Sequence, residues 1–499
     1  MPILLLLLSL LLLPVCARAD GPPLRWAADA QSGAPFVFHD PADQSVLTGF
    51  EYDLMQALGR RLGRTMVFVQ NDWDGLIPGL NRGLYDLVID GIEITPEHEE
   101  AVAFSSPYYD TAERIAVRRD AAGLGSIQAL RGHTVGTLKD TTSLRLLEAA
   151  GGIRIRSYED ETNAYTDLAN GRLDAVMLDE PIAQYYAVPD ARLRLSGPPV
   201  GHLSYGIAMR RDDPALRARV DAALDAMRHD GELRRILQRW NLWTPAMAAT
   251  DDAAPGPAAA PIAWEHWLKA AAPAATWRDR LRRYASFLPL LGRAALMTLS
   301  VSACAMVLAV ALGLALALMR RDGAAPLRWI AVGYIEIVRG TPLLIQILFI
   351  FYGLPALGVR LDPFLAGVVA LGLNYAAYEA ENYRAGLQAV PHGQFEAALA
   401  LNMSHGQALR HVVVPQAFRT VLPVMTNDFI SLLKDSSLVS VITLSELSQL
   451  YVRLSTTYYD YLGTGLMIGS AYLLLGLPFV RLARLFERRL ARAVGGGRF

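Results

Sequence analysis

Lys434 and Asp435 stand side by side within the largely apolar stretch 420–442. Ionisable side chains in such a stretch are costly to bury, so they turn towards a pathway or a partner. As sequence neighbours they point in different directions on a helix and do not simply neutralise one another. In the first half of the chain, Glu93 and His98 are close enough in sequence to be recruited as an acid/base pair. No Ser/His/Asp arrangement accompanies them, and the histidines show no metal-ligand spacing. Lysine occurs only as Lys139, Lys269 and Lys434, each preceded by leucine. A phosphate-binding loop needs a Gly-Lys pair, so the chain is not itself a P-loop ATPase. Cys16 and Cys304 are the only cysteines, one in a leader and one in an apolar run. That excludes a disulfide framework and a cysteine zinc site. These residue types point to binding and conduction, with no cofactor and no metal.

The elements that must position them divide sharply. Hydrophobic residues make up 53% and charged residues 19% of the 499, and the net charge is −1. Binding to nucleic acid driven by overall charge is therefore excluded, and two or three structural units are expected. Residues 3–13 are almost all leucine and Ala17-Arg18-Ala19 follows. This has the form of a signal peptide cut after Ala19, with an uncleaved anchor as the alternative. From Leu24 to Trp243 short strand-like runs (Met66–Val69, Leu87–Ile89, Arg114–Arg118, Thr134–Thr137, Ala175–Leu178, Ser204–Met209) alternate with helical stretches such as Phe50–Leu62 and Ala215–Trp240. The last stretch is interrupted at Asp230-Gly231-Glu232-Leu233. Residues 245–261 form a Pro/Ala-rich linker. Trp264, Trp267 and Trp277, interleaved with arginines, suit a helix at the membrane surface or a partly exposed linker helix. Five segments of spanning quality follow: 290–319, 342–359, 363–380, 420–442 and 461–480. Thr341 is placed to cap the second and Pro342 to sit in its first turn. Arg481, Arg484, Arg488, Arg489, Arg492 and Arg498 in the tail, with Arg320, Arg321 and Arg328 in the first inner loop, favour an outer N-terminal domain and a cytoplasmic C-terminus. Arg278, Arg280, Arg282 and Arg283 argue the other way.

Between the third and fourth spans runs Glu396 to Pro415, EAALALNMSHGQALRHVVVP. It resembles the EAA loop of binding-protein-dependent ABC importers. Glu396, Ala397 and Ala398, then Val412, Val414 and Pro415, fall at the family spacing, with Asn402 in place of a glycine. Asparagine is the non-glycine residue best suited to a left-handed turn. In that family the loop forms a short cytoplasmic helix docked on a separate ATPase subunit. Val338-Arg339-Gly340-Thr341-Pro342, Ala377-Tyr378-Glu379-Ala380-Glu381 and Leu433-Lys434-Asp435-Ser436-Ser437 resemble signature blocks of the polar amino-acid uptake permeases. The resemblance implies that Asn427, Lys434 and Asp435 lie on the translocation path and that the permease half dimerises, as a homodimer.

The soluble half is similar to the periplasmic amino-acid-binding proteins in Phe50-Glu51-Tyr52-Asp53-Leu54, Trp73-Asp74-Gly75-Leu76-Ile77-Pro78, Ile94-Thr95-Pro96-Glu97 and Phe104-Ser105-Ser106-Pro107-Tyr108-Tyr109. In that family two α/β lobes close on the ligand. The resemblance makes Asp179 the partner of the ligand ammonium, and Thr141 and Thr142 the helix opening that receives its carboxylate. Phe36 and Trp73 become the aromatic contacts, Gly91 part of the cleft, and Asp29 a contact to the ligand side chain. Two positions depart from the pattern. His98 stands where the family has its carboxylate-binding arginine, and Glu93 where a small polar residue is usual. Loss of a guanidinium is not conservative, so a cationic ligand or one lacking a free carboxylate is admitted. Alternatively, a neighbouring arginine such as Arg114 compensates or Glu93 turns aside.

The expected organisation is a signal peptide (1–19), an α/β two-lobed solute-binding domain (20–244), a linker and interfacial helix (245–284), an all-α permease domain of about five transmembrane helices (285–490) and a cytoplasmic tail (491–499). The expected function is a membrane subunit of an ABC importer for a polar amino acid or related solute, in the inner membrane and served by separate ATPase subunits. A ligand-gated channel and a dehydratase-like enzyme on the same clamp fold are the alternatives. The channel has no use for an EAA loop, and the enzyme leaves the permease half unexplained.

Overall fold

In the computed structural model the described residues are 22–495 except 32, 159, 250–255, 273–275 and 459, with side chains at 322, 356 and 487–495 also outside the description. The expected leader 1–19 and residues 496–499 of the expected tail lie outside the described residues. The chain divides into two units, Met1–Ala272 and Pro273–Phe499.

The alternating strand and helix segments of the first unit build two five-stranded sheets, one per lobe. The first runs, edge to edge, Met66–Gln70, Leu24–Ala28, Leu87–Val88, Ala208–Met209 and Ala103–Phe104. Its first three strands are parallel, and Ala208–Met209 is antiparallel to both neighbours. The fully buried run Trp26, Ala27, Ala28 fits a sheet covered on both faces. The second sheet runs Leu193–Tyr205, Tyr109–Arg118, Ala175–Asp179, Thr134–Leu138 and Arg154–Tyr158. Two chain segments cross between the lobes side by side, with Ser105 N donating to Ile207 O at 2.9 Å and Tyr108 N to Tyr205 O at 3.0 Å. This divides the expected strand Ser204–Met209, because Gly206 and Ile207 carry the chain from one sheet to the other. The expected helix break is present: Pro214–His229 and Glu232–Arg239 are separated at Gly231, whose φ of 72° ends the first helix.

Of the expected linker 245–261, residues 250–255 lie outside the described residues; the helix expected after it, at the membrane surface or as a partly exposed linker helix, packs on the first unit. Pro245–Ala249 and Ile262–Ala271 are helices of the first unit. Trp267 is buried, its ring 4.8 Å from that of Tyr185, and Trp264 lies 4.5 Å from the same tyrosine. Ala259 N donates to Gln238 Oε1 at 2.8 Å, and His266 Nε2 meets Asp40 at 2.9 Å. Tyr185 belongs to the second lobe and Asp40 and Gln238 to the first, so this helix straps both. Two indoles offer too much apolar area to leave in water when a tyrosine face is at hand. Only residues 273–276 separate this unit from the next helix, Trp277–Ser286, where Trp277 is exposed and the arginines cluster.

The second unit is helical. Leu288–Asp322 packs along Pro363–Gln388 through small residues: Ala305, Ala309 and Gly313 on one helix face Ala366, Ala370 and Ala376 on the other. A Cβ on Gly313 would lie 2.7 Å from that of Glu379, so only glycine permits this approach. Leu288–Arg321 (mean hydropathy 2.5) and Tyr461–Phe486 (1.7) are long and apolar enough to span, matching the first and fifth expected segments. The second is redrawn. Ala325–Gly340 and Leu343–Gly353 form a pair bent by 110° at Thr341-Pro342. Thr341 does not cap the second member; its hydroxyl donates back to Ile337 O at 2.9 Å and accepts from Gln346 Nε2 at 2.8 Å. The third expected segment lies in Pro363–Gln388, and the fourth runs from Val414–Asp435 into the 3₁₀ segment Ser436–Ile442.

Candidate functional site

The cleft between the two lobes, about 600 Å³ when its opening to solvent is included, is lined from the first lobe by Phe36, Trp73, Asp90, Gly91 and Glu93. Leu138, Lys139, Thr141, Tyr158, Glu161, Asp179 and Ile182 line it from the second. The Phe36 ring packs against Phe50 and Tyr205, and lies over Gly91 so closely that a Cβ there would stand 2.7 Å from it. With φ at 60°, Gly91 is a position that demands glycine on both counts.

Glu93 reaches across the cleft. Its carboxylate accepts from Thr142 N at 3.0 Å, from the Thr142 hydroxyl, and from Arg145 Nη2 at 2.8 Å. Thr142 opens the helix Thr142–Ala150, where Thr141 Oγ1 caps by accepting from Leu144 N at 3.3 Å. A helix N-terminus attracts an anion through its unpaired N–H groups and dipole. Here that anion is a side chain of the protein, and Arg145 completes a lobe-to-lobe ion pair. Glu93 is therefore not turned aside. Arg114 does not serve, since it follows Glu113 on the strand Tyr109–Arg118 and leaves the opposite face. Arg145 was not named from the sequence; its place one turn beyond Thr142 was the available signal.

Asp179 ends the strand Ala175–Asp179, is buried, and accepts a hydrogen bond from the Tyr205 hydroxyl. Among the described residues its Oδ1 is met by the carboxyl of the adjacent Glu113, whose other oxygen accepts from Ser143 Oγ. Glu93, Glu113 and Asp179 bring carboxylate oxygens within 4.8 Å of one another. Burial, then the charge of Glu93, pushes the Asp179 carboxyl up to about 7. Burial, then neighbouring carboxylates, also holds Glu113, Asp90 and Glu161 well above the usual range. Asp90, Glu113 and Glu161 were not named from the sequence, because carboxylates give no local sign of convergence.

Two expected contacts are placed elsewhere. Asp29 does not line the cleft; its carboxylate accepts from Gln31 N, Gln70 Nε2 and Trp73 N at 2.9–3.2 Å. His98 also stays outside, its Nδ1 2.8 Å from the main-chain oxygen of Glu93. Its ring thus meets the Glu93 backbone and not the carboxylate, which removes the geometry of an acid/base pair.

In the second unit, Glu396, Ala397 and Ala398 lie on the helix His392–Ala400, with Glu396 and Ala397 exposed and Ala398 buried. Asn402 adopts φ 65°, and Met403 N donates to Ala398 O at 3.2 Å, closing a left-handed helix end. Ser404 and Gln407 then form a capping box that starts the next helix. Pro415, which has no N–H to give, stands just after a turn widened to i→i+5 bonding at Leu409–Val413. Asp435 accepts from the Tyr375 hydroxyl at 2.7 Å, while Lys434 and Asn427 are exposed. Lys434 and Asp435 thus differ in their surroundings. Asn382 Nδ2 donates to Asp428 at 2.6 Å, a polar contact between helices that the sequence reading did not name.

Residues 24–242 match the family described as bacterial extracellular solute-binding proteins, family 3. Residues 309–492 match the binding-protein-dependent transport system inner membrane component. The chain is 37% identical over 194 residues to the arginine transport system permease protein ArtQ of Bacillus subtilis (strain 168), covering 39% of this chain and 89% of that one. It is 43% identical over 162 residues to the L-cystine transport system permease protein TcyB of the same organism, covering 32% and 69%. Among solved structures, an ancestral arginine-binding protein bound to glutamine is similar at 31% identity and a TM-score of 0.42, over 45% of this chain and 99% of that one.

Proposed function

This chain belongs to the binding-protein-dependent inner-membrane transport components and carries its own family 3 solute-binding domain, and from that premise we propose how it works. It is a membrane subunit of an ABC importer for amino acids or closely related small solutes. The two-lobed domain captures the solute outside the membrane and delivers it to the permease unit, whose C-terminus is cytoplasmic. ATP hydrolysis belongs to separate subunits that dock on Glu396–Pro415, and two permease units form a homodimer around the path that Asn427, Lys434 and Asp435 line. The arginine-rich tail supports this orientation. The exposed helix–turn–helix around Asn402 supports the docking site.

The observation that carries the reading is a ligand cleft and an EAA-bearing permease bundle in one chain. Its test is Glu396→Lys in proteoliposomes with the cognate ATPase. A charge reversal at a docking contact should cost about 2 kcal/mol or more. Uptake and ligand-stimulated ATP hydrolysis are expected to be lost while solute binding is retained. Normal uptake by this variant would sink the coupling assignment.

A further inference from the structure

The charge balance of the cleft narrows its ligand. The helix N-terminus at Thr142, suited to hold a carboxylate, is filled by Glu93, and the Arg145 guanidinium is bound to the same side chain. A ligand carboxylate would have to displace an ion pair whose carboxylate is buried and whose guanidinium is part-exposed, and which also ties the lobes together. The other titratable groups lining the cleft are the carboxyls of Asp90, Glu161 and Asp179 and the Lys139 side chain. Asp179, 5% exposed, has an oxygen met by the carboxyl of Glu113 and by no N–H of the described residues. Two carboxyls so placed need a shared proton or a cation. Phe36, Trp73 and Tyr158 add aromatic faces suited to an ammonium or guanidinium group.

We infer that this cleft takes a small organic cation, an amine or guanidine compound without a free α-carboxylate, and that Glu93 performs the lobe-bridging that a ligand carboxylate would otherwise perform. This deepens the reading of the domain as the importer's receptor and rests on it. An amino acid brings a second carboxylate against Glu93 and Asp179, and like charges meeting in a desolvated site discriminate strongly. An amine cation meets carboxyl groups and aromatic faces, with Lys139 as the opposing charge in the lining, and closes the lobes without disturbing Glu93, Thr142 and Arg145.

The test uses the full chain in lipid nanodiscs and calorimetry with pairs that differ only by the carboxylate: agmatine against arginine, and cadaverine against lysine. The amine of each pair is expected to bind at least about 100-fold more tightly. In Glu93→Ser the helix end is vacated, so the gap should shrink at least tenfold through gained affinity for the amino acid. Glu93→Gln keeps the shape, drops the charge and should move the same way. Tighter binding of arginine or lysine than of its amine overturns the inference and leaves the receptor reading intact. Binding of neither series by folded chain overturns both. Saturable stabilisation by Mg²⁺ or Ca²⁺ alone that blocks the amines overturns the inference in favour of a metal at Glu93, Glu113 and Asp179.

Discussion

Trp267→Ala probes whether the segment before the membrane unit is part of the receptor or a helix of the membrane surface. In the structure Trp267 is 7% exposed, packed on Tyr185 and stacked 5.4 Å from Trp264, whereas Trp277 is 66% exposed. Truncating a buried tryptophan costs about 3–5 kcal/mol. The lower figure applies here, because Ile262–Ala271 is a single ten-residue helix that can open locally without unfolding the lobes. About 3 kcal/mol is roughly two factors of ten in an opening equilibrium. Amide exchange across 262–271, followed by mass spectrometry on the full chain in nanodiscs, should therefore quicken about 100-fold. Trp277→Ala should leave that segment unchanged. Unaltered exchange in Trp267→Ala would refute the docking, and so would protection of 262–271 that depends on lipid.

Asn402 holds a left-handed conformation, φ 65°, which costs a side chain with a bulky Cβ about 1–2 kcal/mol. Asn402→Val should thus lower the thermal midpoint and uptake together, and Asn402→Gly should preserve both. The pH dependence follows from Asp179, which is lifted from 3.8 to about 7 by burial first and by Glu93 next, in a setting shared with Glu113 and the Tyr205 hydroxyl. An amine needs the ionised form, so its calorimetric affinity should fall by about tenfold per pH unit below 7; a flat profile from pH 8 to 6 would count against the site. For stability the sign is opposite. Between pH 3.8 and 7 the folded chain keeps a proton that the unfolded chain has lost, so ligand-free stability declines as pH rises through that window and levels above it. Asp179→Asn should lessen this decline in thermal unfolding series, leaving the share owed to Glu113, Asp90 and Glu161.

Local patterns carried much of this protein openly. The division into a soluble and a membrane half follows from apolar runs, and the order of strands and helices from period and turn residues, down to the break at Gly231. The Glu396–Pro415 spacing foretold a helix with a left-handed end at Asn402, because such a turn is a property of a few contiguous residues. A helix does start at Leu343, as expected, but the 110° bend before it and the role of Thr341 were not legible, since whether a threonine caps forwards or bonds backwards depends on its neighbours, here Gln346. An alanine- and proline-rich stretch looked like a free tether because the partner of Trp264 and Trp267 is Tyr185, far away in sequence. Types alone marked Glu93 and His98 as departures. That Glu93 spans the cleft to Thr142 and Arg145, that His98 meets only its backbone, and that Asp90, Glu113, Glu161 and Asp179 share one acidic hollow were decided by the two crossings between lobes. Those crossings bring distant segments face to face, and the charge of a cleft is a sum over segments that no local window contains.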